Sequence, residues 1–300
     1  MIRLITIKSA GEVCLCDFTF DFFWQHRGSR LNPDQIVGGC SYKKMVESLR
    51  NGETVSILGD AGSRLGSSMG VDLMRLGGKG GALESTGKIV VDGNVGSRMG
   101  ISMLRGAIYV SGKVASPLGN AIEVESDLSG FRKFISITEA LERSIPVLEP
   151  NYWDEQGLVI YDKSLRDTVG ARNPTGKRIR LLGDAGLSSG ILMRSGLLDI
   201  SGNTESNTGV LLCGGRIIIR GSSGDFTGSE MRNGEIIIAD NAGSYACAKM
   251  KGGSIYAKDG KPLPPAQARP LSPSEQASVV KALGIVPFYA QMYKRFGLNP

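Results

Sequence analysis

The sequence has 300 residues, of which 41% are hydrophobic, 42 are glycine and only 6% are aromatic. This apolar content suffices for a full core, and the glycine excess fits a repetitive solenoid better than a packed α/β domain. The net charge of +6 comes from Lys and Arg scattered among 29 acidic residues, so a nucleic-acid partner is not expected.

The apolar runs and the cysteines of the sequence indicate where in the cell the protein is expected. No run of 18 apolar residues predicts a membrane span, and residues 1–11 carry no hydrophobic core of a signal peptide. Five cysteines, an odd number at irregular spacing, are typical of a reducing compartment. We therefore expect a soluble, cytoplasmic protein without membrane insertion.

Residues 1–50 are predicted to form an N-terminal cap or arm outside the main repeat. Residues 4–7 and 12–23 read as strands, and residues 41–50 as a short helix with Ser41 as its N-cap. Phe22, Phe23 and Trp24 suggest either a site for a ring-shaped ligand or a cap over the first coil. The cap is favoured, because a solenoid must close its apolar ends.

Residues 51–258 are predicted to form the solenoid itself, and the repeat is clearest near its end. Glycines recur there at a fixed step of 19 residues, and a column of aliphatic residues keeps pace with them: Gly196, Gly215, Gly234 and Gly253, with Leu198, Ile217, Ile236 and Ile255. Each copy carries a short β-branched run bounded by glycines, which indicates a strand. Only parallel stacking places these aliphatic residues above one another, so the chain is predicted to be an all-β protein, a right-handed parallel β-helix with 19-residue coils.

Two interruptions break the period. A glycine-rich loop insertion covers about residues 70–86, and Gly77, Gly78, Lys79, Gly80 and Gly81 within it suggest a phosphate cradle only weakly, because the Walker pattern is missing. An excursion at residues 120–156 includes a predicted helix at 138–143. Tyr152 and Trp153 in that excursion indicate either a docking point for a partner or simple packing, and the coils resume at Gly157.

Residues 259–300 are predicted to be a Pro-rich linker followed by a C-terminal helix and tail. Ser272 and Glu275 form a capping-box pattern with Pro273 at the first helical position, and Gly284 is a natural stop. The tail beyond it is aromatic, with Phe288, Tyr289, Tyr293 and Phe296. Such residues either cap the coil stack or clasp a neighbouring chain.

The chemistry that the sequence offers is sparse. His26 is the only histidine, and Cys14 and Cys16 lack a second pair at metal-binding spacing. A polar row at the coil corners (Asp60, Asn94, Asp184, Asn203 and Asn241) is explained by the need for residues that tolerate left-handed backbone. Arg178, Arg180 and Asp184 are too few for a carbohydrate-lyase site. We expect no catalytic, cofactor-binding or metal-binding residue in this chain.

One column of apolar residues occupies the outward-facing middle of the strands. It comprises Val90, Tyr109, Ile218, Ile237 and Tyr256. An apolar strip of this kind is typical of a surface covered by another subunit, or by the chain's own insert or tail. With Tyr152 and Trp153, it forms the predicted partner interface.

The corners carry a repeated glycine motif, found at residues 59–66 (GDAGSRLG), 93–100 (GNVGSRMG) and 183–190 (GDAGLSSG). Its glycines are predicted to be structural: Gly59, Gly62, Gly66, Gly93, Gly96, Gly100, Gly183, Gly186 and Gly190. This motif resembles the GXGXG repeat family, which includes the C-terminal β-helix of glutamate synthase and the β-helical third subunit of formylmethanofuran dehydrogenase. Residues 106–112 (GAIYVSG), 117–120 (PLGN), 166–172 (RDTVGAR) and 255–258 (IYAK) resemble the second of these more closely.

The resemblance implies a non-catalytic scaffold in the enzyme complex that reduces CO2 to formylmethanofuran in methanogenic archaea. It implies partner subunits that carry a molybdenum or tungsten pterin, iron-sulfur clusters and, in an amidohydrolase-like subunit, a binuclear metal centre. The alternative that it leaves open is a structural domain of the glutamate synthase type.

Overall fold

The computed structural model describes residues 4–20, 31–74 and 77–298. The chain divides into two compact units, residues 1–148 and 149–300. The division falls inside the excursion predicted at 120–156. Phe22, Phe23, Trp24 and His26 lie outside the described residues, so the predictions made for them stay predictions.

The first unit is built on a ladder of parallel strands. These are β1 (Leu4–Lys8), β4 (Thr54–Leu58), β5 (Lys88–Asp92) and β6 (Ala107–Val110), with the short hairpin β2 (Ile36–Val37) and β3 (Cys40–Ser41) and helix α1 (Tyr42–Arg50) between β1 and β4. Ile7 pairs with Ile57, and Ile57 pairs with Val91, so buried aliphatic side chains stack from coil to coil. This stacking removes apolar surface from water along the whole ladder, which stabilises it.

The ladder begins earlier than the sequence indicates. Strand β1 already pairs in parallel with β4, and the Cys14 and Phe18 amides donate to the Ser63 and Ser67 carbonyls of the next coil, at 2.9 and 3.0 Å. The strand predicted at 12–23 is wrong for its described part. Cys14 and Cys16 have φ values of +63° and +59°, so this segment forms the corners of a coil.

The rest of the first unit comes from the excursion. Strands β7 (Ala121–Val124) and β8 (Arg132–Ser136) form a hairpin, and β8 closes the ladder by antiparallel pairing with β6. Helix α2 (Ile137–Arg143) follows, which confirms the helix predicted at 138–143. Helix α1 begins after Ser41, whose hydroxyl accepts from the Lys44 amide, as the sequence predicts.

The second unit contains a longer parallel ladder that confirms the β-helix prediction. Its strands are β10 (Gly157–Ile160), β11 (Arg178–Leu181), β12 (Leu197–Ile200), β13 (Arg216–Ile219), β14 (Glu235–Ile238) and β16 (Ser254–Ala257). Leu198, Ile217, Ile236 and Ile255 pair in one register row and are fully buried. Strands β15 (Asn241–Ala246) and β17 (Asp259–Pro262) pair in parallel on another side of the coils.

Antiparallel strands flank this ladder at both ends. Strand β9 (Tyr152–Asp154) pairs with β10, and β19 (Lys294–Gly297) pairs with β16 and with β18 (Gln267–Pro270). Helix α3 (Pro273–Leu283) and a 3₁₀-helix (Pro287–Met292) lie between β18 and β19. The predicted capping box at Ser272 and Glu275 is present, and α3 ends at Gly284 with φ +68°, which confirms both predictions.

Candidate partner-binding surface

The corner glycines lie where a strand gives way to the following turns. Gly66, Gly100 and Gly190 have φ values of +66°, +69° and +74°, a conformation that favours glycine. A Cβ atom on Gly93 would lie 2.5 Å from the Gly59 carbonyl oxygen, and one on Gly96 would lie 2.6 Å from the Ser63 amide. The remaining predicted corner glycines occupy equivalent bends: Gly59, Gly62, Gly183 and Gly186. Backbone conformation or close approach of the neighbouring coil accounts for these residues except Gly183, where a Cβ atom would have open space.

The polar row beside them links one coil to the next. The Asp60 carboxylate accepts from the Asn94 amide at 2.7 Å, and the Asn94 side-chain oxygen accepts from the Lys113 amide at 2.9 Å. In the second unit, Asp184 accepts from the Asn203 amide at 2.6 Å, and Asn203 accepts from the Ser222 amide at 2.9 Å. These side chains satisfy backbone donors that the corners would otherwise leave unpaired.

Three of the buried thiols, those of Cys14, Cys16 and Cys247, are poor nucleophiles. Burial raises the pKa of Cys14 and of Cys247 to about 12 and raises that of Cys16 further, because a thiolate loses hydration in an apolar interior. Cys247, with φ +62°, occupies the corner column of Gly209 and Gly228. Thiolate chemistry at neutral pH is therefore disfavoured at these three positions.

The part of the chain that the structure describes holds neither a cluster of metal-binding side chains nor a helix that could cross a membrane. Within residues 4–20, 31–74 and 77–298, no three His, Cys, Asp or Glu side chains converge closely enough to hold a metal ion. The helices of the same ranges are all too short or too polar to span a bilayer. In the loop near residue 79, the Asp72 carboxylate accepts from the Lys79 amide at 2.7 Å, so a carboxylate of the chain itself takes up that donor.

The outward apolar strip of the second unit is covered by the chain's own tail. Ile237 and Tyr256 are buried and pack against Leu271, Val279 and Tyr293 of the C-terminal segment. The Tyr293 hydroxyl donates to the Ala239 carbonyl at 2.9 Å and fixes the tail on the last coils. Ile218, one coil earlier, is only 5% exposed. The sequence left open whether another subunit or the chain itself covers this strip. For Ile237 and Tyr256, the structure shows that the C-terminal segment of the chain covers it.

The same strip in the first unit runs beside the excursion hairpin. Tyr109 is buried, and its hydroxyl donates to the Asp127 carboxylate at 2.7 Å. Desolvation is the largest cause that raises the pKa of Tyr109, and the hydrogen bond to the Asp127 carboxylate raises it further. The ammonium groups of Lys88 and Lys133 lie 5.4 and 5.5 Å from the centre of its ring. Val90 is half-buried.

A cluster of exposed apolar side chains lies at the start of the tail, on the 3₁₀-helix and on the residue before it. Val286, Phe288, Tyr289 and Met292 are 60%, 70%, 50% and 55% exposed, and the two rings meet edge to face at 5.9 Å. We call these four residues the tail patch. The aromatic tail is thus divided between two roles, because Tyr293 and Phe296 face inward while Phe288 and Tyr289 face solvent.

Tyr152 and Trp153 lie on β9 of the second unit. Tyr152 is 48% exposed, whereas the Trp153 ring lies under the Lys177 ammonium at 5.4 Å. The neighbouring Asp154 pairs with Arg178, which ties β9 to the ladder and gives Arg178 a structural role. A partner contact at these two aromatic residues stays a prediction.

Sequence reasoning passed over a second aromatic pair. Phe226 and Tyr245 stack with their centroids 5.0 Å apart, and they are 40% and 49% exposed. Their spacing of one coil was the signal that could have found them, since residues 19 apart lie directly above one another in this ladder.

The ladders, the corner glycines and the buried stacked aliphatic residues define a parallel β-helix protein. No protein-family model matches the sequence. The chain is 45% identical over 209 residues to an uncharacterized protein of Methanothermobacter thermautotrophicus, a match that covers 68% of each chain. The chain therefore belongs to the same family as that protein.

Among solved structures, the chain shows a distant likeness to the formyltransferase/hydrolase complex of Methylorubrum extorquens in complex with methylofuran. The identity is 18%, the TM-score is 0.31, and the likeness covers 78% of this chain. This chain spans 60% of the length of that solved chain. Similarity at this level is too low to transfer any activity or partner.

Proposed function

We propose that this chain is a non-catalytic scaffold subunit of a formylmethanofuran dehydrogenase complex. The repeated motif at residues 59–66, 93–100 and 183–190 supports the GXGXG family, and residues 106–112, 117–120, 166–172 and 255–258 support the choice of complex. The proposed partners are pterin-binding and amidohydrolase-like subunits, which would carry the molybdenum or tungsten pterin, the iron-sulfur clusters and the binuclear metal centre.

The observation that carries a partner-binding role is the tail patch. Four large apolar side chains, each at least half exposed, follow one another within seven residues at Val286, Phe288, Tyr289 and Met292. Exposed apolar clusters of this kind are typical of protein interfaces, and aromatic residues at their centre commonly dominate the binding energy. The β-helix coils behind the patch are held by backbone ladders and buried aliphatic columns, so they supply a stiff support.

Purification of the complex from its native source tests the proposal. Mass spectrometry should find pterin-binding and amidohydrolase-like chains with this one. Co-purification with an amidotransferase chain would favour the glutamate synthase alternative, and turnover by the isolated chain would contradict a scaffold role.

A pair of variants tests whether the tail patch is the contact. Phe288→Ser should weaken association with the partner subunits at least tenfold, since loss of a central aromatic residue commonly costs about 2 kcal/mol or more. Tyr161→Ser removes another exposed ring of the same unit, 47% exposed, and should leave association unchanged. Equal retention of partners by both variants would exclude the patch.

A further inference from the structure

The turns between the strands of the second unit carry two columns of outward side chains rich in cations. In the first column, each backbone amide donates to a carbonyl of the preceding coil, at 2.9, 2.9, 2.8 and 2.8 Å for Arg194, Cys213, Arg232 and Lys251. The second column lies two residues earlier on each coil and contains Arg172, Leu192, Leu211, Glu230 and Lys249. We call these two columns the basic strip. Successive members of a column lie one coil step apart, about 4.8 Å.

The cations of the strip are not neutralised within the chain. Arg232, Lys249 and Lys251 are exposed, and no carboxylate of the described ranges pairs with any of them. Glu230 is the one carboxylate of the strip, and it forms no ion pair with another described residue. An acidic group placed against the strip would therefore meet cations that have no acidic neighbour to compete for them.

The cations also repel one another. Burial first, and then the charge of Arg194, lower the pKa of Arg172 below its ordinary value. The first cause removes water from a guanidinium, and the second shows that its neighbour in the strip acts on it. Like charges in neighbouring positions of a sheet or coil stack are destabilising. Carboxylates from outside the chain would relieve this repulsion.

The middle of the strip is aliphatic. Leu192 and Leu211 are half-buried and follow one another in the second column, between Arg172 at one end and Lys249 at the other. A ligand that supplied only negative charge would leave these two side chains in contact with water. The strip therefore matches a partner that carries both apolar and acidic groups on one face.

The spacing of the strip indicates the form of that partner. An α-helix advances about 5.4 Å per turn, which is close to the coil step, so a helix aligned with the coil stack brings about one side chain opposite each coil. Single-stranded nucleic acid is bound largely by stacking on aromatic side chains, and the strip has none. A second copy of the strip would bring the same cations face to face.

We propose that the basic strip binds an acidic, amphipathic helix of a partner protein. The carboxylates of that helix lie against Arg194, Arg232 and Lys251, and its apolar side chains contact Leu192 and Leu211. The strip lies on the turns, whereas the tail packs on the strand residues Ile237 and Tyr256. This assignment therefore depends neither on the tail patch nor on which enzyme complex contains the chain.

Carbodiimide cross-linking of the complex purified from its native source tests the proposal. The reagent joins an amine directly to a carboxylate that touches it, so Lys249 and Lys251 report on the occupant of the strip. Mass spectrometry should find both lysines linked to Asp or Glu residues of one partner segment with a helical, amphipathic pattern. Lys43, exposed on α1, is the control and should show no link to that segment.

Charge reversal measures the contribution of the strip. The probe is a fluorescent synthetic peptide of the cross-linked segment, titrated with the full chain and followed by fluorescence anisotropy. Arg232→Glu and Lys251→Glu should each weaken binding at least tenfold, because each replaces an attraction by a like-charge contact. Lys43→Glu makes the same charge change on α1 and should bind like the wild type. Unchanged melting temperatures verify that each variant is folded.

Four results would overturn the assignment. They are purification of the chain without any partner, absence of links from both Lys249 and Lys251, wild-type affinity in both strip variants, and an oligonucleotide that binds the wild type but not Arg232→Glu. The last of these would assign the strip to nucleic acid. Links to a helix of an amidotransferase chain would support the strip and refute the proposed complex, so the two proposals fail separately.

Discussion

Asp17 makes the stability of the first unit dependent on pH. Its side chain is 1% exposed, and one carboxylate oxygen accepts from both the amide and the hydroxyl of Thr19 at 2.6 Å. The Ser67 side chain also interacts with this carboxylate and favours its charged form. Burial outweighs these hydrogen bonds and the charge of Arg64, and it raises the pKa of Asp17 from 3.8 to about 6.

The sign of the effect follows from proton binding. Between pH 4 and pH 6 the folded state retains a proton that the unfolded state has lost, so the free energy of unfolding falls as the pH rises through this window. A shift of about two pKa units corresponds to a loss of at most about 3 kcal/mol, fully present above pH 6. Asp17→Asn removes the charge, and its free energy of unfolding should exceed that of the wild type by about 1 to 3 kcal/mol at pH 7.

Urea unfolding followed by far-UV circular dichroism from pH 4 to pH 7.5 measures this difference. The two curves should coincide near pH 4 and separate as the pH rises. Asp34→Asn, at an exposed position, should keep the pH profile of the wild type. The reasoning is refuted if Asp17→Asn and the wild type give parallel curves over the whole range.

Two further substitutions test the packing of the second unit. Gly209→Ala places a Cβ 2.5 Å from the Ile236 Cδ1 at a φ of +67°. It should therefore lower the free energy of unfolding, measured in urea titrations, by about 2 to 4 kcal/mol. The control Gly176→Ala, at a position with open space and no positive φ, should lower it by no more than about 0.5 kcal/mol. Val279→Ala should cost about 1.5 to 3 kcal/mol and speed tryptic cleavage of the tail, because this buried side chain holds α3 on Ile237 and Tyr256. Val286→Ala, at a 60% exposed position, should leave cleavage unchanged, and equal rates for both variants would show that Val279 does not anchor the tail.

The repeat could be predicted because residues 19 apart pair directly. Leu198, Ile217, Ile236 and Ile255 stand in one column of the sequence and in one row of the sheet. The first strand of the ladder was hidden, since Leu4 pairs with Thr54 and helix α1 stretches that step to 50 residues. A period can be read from a sequence only where no insertion changes its length.

The surfaces were harder to predict than the core. The outward strip at Ile237 and Tyr256 was identified as a covered surface, but its cover depends on where the chain returns after the last coil. Leu4, Lys88 and Ile135 stand in one register row of the first sheet although their strands are far apart in sequence, and no local pattern links them. Local capping signals at Ser41 and Ser272 were sufficient for the helices, because a cap involves only neighbouring residues.

The antiparallel strands that flank the parallel ladder of the second unit limit its growth. A bare parallel edge would offer the next copy a template of matching spacing, and copies could then polymerise into a fibre. Here β9 is only three residues long, and β18 ends in Arg269 and Pro270, which are poor templates for further pairing. Edge-to-edge assembly of several copies into a longer ladder is therefore disfavoured.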